Sequence, residues 1–121
     1  MLETAWRAIE SAGYRPDELP AATGVFVGVS GRDYASLLQD LGVDSDAYVA
    51  TGNSLAMVAN RLSWQFNLHG PSEAVDTACS SSLVALLRAA EAIRGGHCAM
   101  ALAGGVNLAL AIEGFVGPWQ A

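Results

Sequence analysis

The chain has 121 residues, of which 52% are hydrophobic and only 15% charged, and 22 alanines and 13 glycines supply small side chains in quantity. That balance excludes an intrinsically disordered chain, which needs low hydrophobicity and high charge, and it favours a closely packed core. The net charge is −6, and all six cations are arginines, scattered at Arg7, Arg15, Arg32, Arg61, Arg88 and Arg94, which weighs against a nucleic-acid partner and, for want of lysine, excludes Schiff-base catalysis and a Walker A loop.

Leu2, Ala5, Trp6, Ile9 and Ala12 recur at helical spacing and predict a first amphipathic helix, stopped by Gly13 with Pro16 beyond it. Gly24 to Val29 reads GVFVGV between Pro20 and Ser30-Gly31, the pattern of a buried strand. A second helix is expected over residues 32–41 with Gly42 as its stop, then a polar turn at Asp44, Ser45 and Asp46. Leu55, Val58, Ala59, Leu62 and Phe66 predict a helix over 54–66, closed by Pro71. A short strand follows over 73–78, then a long helix over 80–94. Leu83, Val84, Leu86, Leu87, Ala90 and Ile93 make that helix apolar nearly all round, so it is expected in the interior. Gly95-Gly96 ends it, and residues 98–106 return as an apolar strand in which Gly104-Gly105 mark a close backbone approach. Strands alternating with helices predict a layered α/β fold with a largely parallel sheet. No apolar run approaches the roughly 20 residues that cross a bilayer, and no basic segment precedes an apolar one at the N-terminus, so neither a membrane-spanning nor a secreted chain is expected. At this length one domain is the ceiling, and a partial domain is an open reading.

Cys79 falls where strand becomes helix. Unsatisfied amides and the helix dipole at that position favour a thiolate, and Ser80, Ser81 and Ser82 are small enough to allow a sharp turn with space above the sulfur. Two readings stand: a nucleophile, or a small buried hydrophobe of the usual kind. A disulfide to Cys98 is excluded by reach. Helical residues 79–94 span about 22 Å, the chain to Cys98 returns at most roughly 14 Å, and the remainder exceeds what a disulfide bridges. Reduced cysteines fit a cytoplasmic setting. Cys79, Cys98, His69 and His97 lack paired zinc-ligand spacing, and the glycines make no dinucleotide fingerprint, so neither a metal nor a nucleotide is expected. Asp76 reads as a turn anchor that accepts backbone amides rather than as a general base. Arg61 reads as a buried partner of a carboxylate.

The stretch EAVDTACSSSLVALLRAAEAIRGGHCAMALAGGVNL resembles the active-site segment of the β-ketoacyl synthases, in particular the ketosynthase domains of modular polyketide synthases. MLETAWRAIESAGY, GVFVGVSGRDY, GNSLAMVANRLSW and LHGPS extend the resemblance over nearly the whole chain, in the family's order. It implies a thiolase-like fold, with layered helices and a mixed sheet, usually as a homodimer. Residues 1–121 would then be a partial ketosynthase domain, the N-terminal half that contains the nucleophile.

The same resemblance implies that Cys79 takes an acyl chain as a thioester from the phosphopantetheine of a partner acyl carrier protein, no cofactor being bound by the chain itself. The acylated enzyme would then condense it with a malonyl thioester by a decarboxylative Claisen reaction, with the Cys79 amide as one oxyanion donor. The residues Asn53 to Met57 resemble the family's segment near the acyl pocket and dimer interface, with core packing as the equal alternative. His69 and His97 stand in neither of the family's histidine motifs, HGTGT and GH. The resemblance therefore implies a chain complete through the nucleophile and lacking the acid–base residues of the second half, with Met1 inside the domain and Glu113 to Ala121 in mid-loop. A fatty-acid-type synthase, or a non-catalytic ketosynthase remnant, would carry the same residues.

Overall fold

The computed structural model describes residues 1–31, 33–43 and 47–110. Its elements run α1 (Leu2–Ser11), β1 (Thr23–Val29), α2 (Asp33–Asp40), α3 (Ala47–Gly52), α4 (Ala56–Gln65), β2 (Ser72–Val75), a 3-10 turn (Ala78–Ser80), α5 (Ser81–Arg94) and β3 (Met100–Val106). The three strands form one sheet in the order β2-β1-β3, and both pairings are parallel, Val25 with Ser72 and Thr23 with Met100 setting the registers.

β1 is central and buried throughout, as expected of a β-branched and aromatic run covered on both faces. Its alternation sorts the core into two clusters. Phe26 meets Val75, Ala85, Ala89, Ala92 and Cys98 on the α5 side. Val25 and Val27 meet Ala59, Leu62 and Leu68 on the other side, where α4 and, through Met1 and Ala5, the start of the chain complete the layer. The result is helix, sheet and helices in three layers, the α/β layering expected from the alternation of elements.

The expectation for the long helix needs correction. Its buried residues are Ser81, Ala85, Ala89 and Ala92, whereas Leu83, Leu86 and Leu87 are 70%, 57% and 53% exposed and Ile93 is exposed as well. The residues at positions 81, 85, 89 and 92 lie on one helical face, and their small size lets α5 settle deep on the sheet, so the leucines project away from it. The notch that receives α5 is built from glycine. A Cβ at Gly28 would stand 2.5 Å from the Ser81 carbonyl carbon and the Ser82 nitrogen, and one at Gly105 would stand 2.8 Å from the Ser82 Cβ. Gly105 thus makes the expected close approach, while Gly104 has only the Met1 Cε near it, at 3.9 Å.

Two strand boundaries moved and one helix was added. β2 stops at Val75, so Asp76 to Ala78 already belong to the turn. β3 starts at Met100, and Cys98 is a core thiol just ahead of it, 5% exposed. α3 was not expected from the sequence at all. The stops at Gly13 and Gly96 hold, at φ +82° and +73°, where the absence of a Cβ is what permits the reversal. The polar turn expected at 44–46, like Arg32 and the tail from 111 onward, lies outside the described residues.

Candidate functional site

Because the sheet is parallel, the carboxyl ends of β1, β2 and β3 open on one side, the place where open α/β sheets form their ligand crevices. A cavity of about 510 Å³ lies there, lined by Gly28 to Ser30 at the end of β1, Ala78, Cys79, Ser81 and Ser82 after β2, and Gly105 to Asn107 at the end of β3. Cys79 is exposed and, like Cys98, unbridged. Cys98, buried against Phe26, takes no part in this crevice.

The turn that carries Cys79 is held unusually. Ala78 stands at φ +54°, a left-handed conformation that costs an alanine on the order of 1 kcal/mol or more. Its N–H donates to the Asp76 Oδ1 at 3.2 Å, so Asp76 anchors the turn as expected. Its carbonyl accepts from the Ser81 hydroxyl at 2.6 Å, and the same Ser81 oxygen accepts the Thr77 N–H at 2.8 Å. The Ser80 hydroxyl sits 2.8 Å from the Thr77 carbonyl and 2.9 Å from the Thr77 hydroxyl. Among the described residues no acceptor engages the Cys79 amide, which leaves that N–H beside its own sulfur to meet a developing negative charge.

A larger cavity of about 860 Å³ adjoins the first and shares Val29, Ser30 and Val106 with it. Leu2, Tyr34, Tyr48, Leu55, Met57 and Leu110 give it an apolar lining. The segment Asn53 to Met57 is thus wall rather than core, since Leu55 and Met57 belong to neither buried cluster. Arg61 also faces this cavity, exposed and without an ion pair among the described residues, which corrects the buried, carboxylate-paired position expected for it. It lies on the outer side of α4, whose buried positions are Ala59 and Leu62.

His69 and His97 are both exposed, and neither lines either cavity. The described residues hold no cluster of His, Cys, Asp or Glu able to bind a metal ion, and none of their helices is long and apolar enough to cross a membrane. Ser30, Asn107 and the clamp at Ser81 were not singled out from the sequence. The only signal was the hydroxyl run after Cys79, which read as small residues rather than as hydrogen-bonding ones.

Residues 1–120 match the family model described as Beta-ketoacyl synthase, N-terminal domain. The chain is 50% identical over 109 residues to the polyketide synthase GfsB of Streptomyces halstedii, covering 89% of this chain and 2% of that protein. It is 49% identical over 109 residues to an erythronolide synthase of Saccharopolyspora erythraea, covering 89% of this chain and 3% of that one. Among solved structures, the oxazolomycin ketosynthase domain of Streptomyces albus superposes with a TM-score of 0.84 at 39% identity. The ketosynthase from module 6 of the bacillaene synthase of Bacillus subtilis superposes at 0.83 and 35%. Each structural match covers 98% of this chain and 20% of the other, so the chain spans about a fifth of the ketosynthases it resembles.

Proposed function

From a chain that belongs to the β-ketoacyl synthase family, we propose the nucleophile-bearing, N-terminal half of a polyketide ketosynthase domain, with Cys79 as the residue that is acylated. One observation carries this reading: an exposed thiol on a clamped turn, at the meeting point of three parallel strand ends and next to a roomy apolar cavity. The small lining around Cys79 fits the slender phosphopantetheine arm of an acyl carrier protein, and the larger cavity beyond Val29 and Val106 fits the acyl group that the arm delivers.

In the reaction, the Cys79 sulfur attacks the carbonyl carbon of the acyl thioester and a new C–S bond forms. The oxyanion is met by the Cys79 N–H, the older C–S bond breaks, and the arm leaves as a thiol with the proton that Cys79 surrendered. In the second half-reaction a malonyl thioester loses carbon dioxide, and the resulting carbanion attacks the Cys79-bound acyl carbonyl. The Cys79 sulfur leaves, and the chain is two carbons longer. Since His69 and His97 face neither cavity, neither is assigned a part in the decarboxylation. A fatty-acid-type synthase would use the same thiol, but the named relatives are polyketide synthases.

The test is labelling with an acyl N-acetylcysteamine thioester, a short analogue of the pantetheine arm, read by peptide mass mapping. Cys79 is expected to acylate at least tenfold faster than Cys98, and Cys79→Ala to abolish that label. Equal rates at the two thiols would refute the proposal.

A further inference from the structure

We infer that Ser81 is a positioning residue for acyl transfer, one that holds the Cys79 turn in register with the sheet; the inference rests on the proposed role of Cys79. Ser81 is 6% exposed, one of two buried polar residues among those described, the other being Thr23 inside β1. Its backbone is seated in the glycine notch, where the space at Gly28 is so small that an added Cβ would fall 2.5 Å from the Ser81 carbonyl carbon. Its hydroxyl reaches back and both accepts and donates on the turn, taking the Thr77 N–H and giving its proton to the Ala78 carbonyl. One side chain therefore ties the rigid sheet and helix to the turn on both sides of the left-handed Ala78, at the Thr77 N–H ahead of it and at the Ala78 carbonyl behind it.

Without the hydroxyl, the Thr77 N–H is left to water and the Ala78 carbonyl keeps the backbone N–H of Ser81 but loses the shorter hydroxyl bond, and Ala78 relaxes toward the right-handed or extended regions an alanine prefers. Cys79 follows directly, so its sulfur leaves the place where its own amide and the cavity mouth coincide. Asp76 cannot hold the turn alone, because its bond to the Ala78 N–H is longer and exposed. The Ser80 hydroxyl contacts only Thr77 and does not span Ala78. Threonine can replace serine here, since its Oγ1 makes the same backward bond from a helical position.

The experiment compares the parent chain with Ser81→Ala, Ser81→Thr and the double variant Ser81→Ala with Ala78→Gly, using the same acyl N-acetylcysteamine thioester and a thermal melt. The rate of Cys79 acylation is expected to fall at least tenfold in Ser81→Ala and to stay within about threefold of the parent in Ser81→Thr. The double variant should fall between them, because glycine takes φ +54° without the clamp. A Ser81→Ala chain that acylates as fast as the parent overturns the inference, as does a Ser81→Thr chain as slow as Ser81→Ala with an unchanged melt. If Ser81→Ala does not melt cooperatively, the comparison is between Ser81→Thr, expected to be several-fold faster, and the double variant; equal rates overturn the inference. A parent chain that is not acylated at Cys79 sinks the proposed function instead. Ser81 is then tested by iodoacetamide alkylation of Cys79, expected to slow several-fold in Ser81→Ala, and an unchanged rate refutes the positioning role.

Discussion

Ala78 concentrates the local argument, because an L-residue at φ +54° is held there by its neighbours rather than by its own preference. Glycine at this position loses the strain but gains unfolded-state freedom, so the two effects largely offset. Ala78→Gly is expected to change unfolding free energy by less than about 1 kcal/mol, and Ala78→Val, β-branched and far less tolerant of positive φ, to lose roughly 2 kcal/mol. Urea denaturation of the two variants checks both values, and a Val variant as stable as the parent would show that the turn relaxes freely. At this scale Asp76 was legible, since a short carboxylate two residues before a turn amide is a local pattern. The role of Ser81 was not legible. Its significance depends on the left-handed Ala78 and the glycine notch, and neither is a property of the residues immediately around it. Arg61 shows the converse error, since its place on the exposed side of α4 follows from the helix's rotation against the sheet.

Between elements, the decisive contact is α5 against β1 and β3. Gly28→Ala puts a methyl group against backbone atoms of α5, which cannot rotate aside as a side chain does. Overpacking of this sort costs about 1–3 kcal/mol and here belongs at or above the upper end. Gly105→Ala comes within 3.0 Å of one atom, the Ser82 Cβ at 2.8 Å, where Gly28→Ala does so for three backbone atoms, and is expected to cost less. Chemical denaturation of the pair gives the ranking directly, and equal costs would mean that α5 is not seated as described. The central strand was readable from GVFVGV because burial on both faces leaves a continuous apolar run. The facing of α5 was misread because leucines outrank alanines on any hydrophobicity scale. What decided the matter was the depth of the notch, which admits small side chains only. The 3-10 turn cut short the strand expected to reach Ala78, since extended backbone gives way once Asp76 begins to bond forward.

On the scale of the molecule, the far side of α5 carries Leu83, Leu86, Leu87 and Ile93 in the open, a contiguous apolar surface that soluble monomers seldom tolerate. The 121-residue chain is therefore expected to self-associate, and Leu83→Lys with Leu87→Lys to shift it toward monomer with less than about 1 kcal/mol lost from the fold. Sedimentation velocity measures this, and a parent that already runs as a single monomeric species would contradict it. The layered α/β plan was legible because strand and helix patterns alternate. The two adjoining cavities were not, since they arise where segments far apart in the chain converge after folding. The parallel topology also sets a timetable for folding. β1 leaves the ribosome before either of its neighbours, with Val25 destined for Ser72 and Thr23 for Met100. The most apolar strand of the sheet must wait unpaired while a long stretch of chain is still being made, during which pairing is slow and misassociation is the competing outcome. Codon changes that slow translation between residues 30 and 100 would lengthen that wait, and the yield of folded chain would then depend on synthesis speed as well as on the stability of the finished sheet.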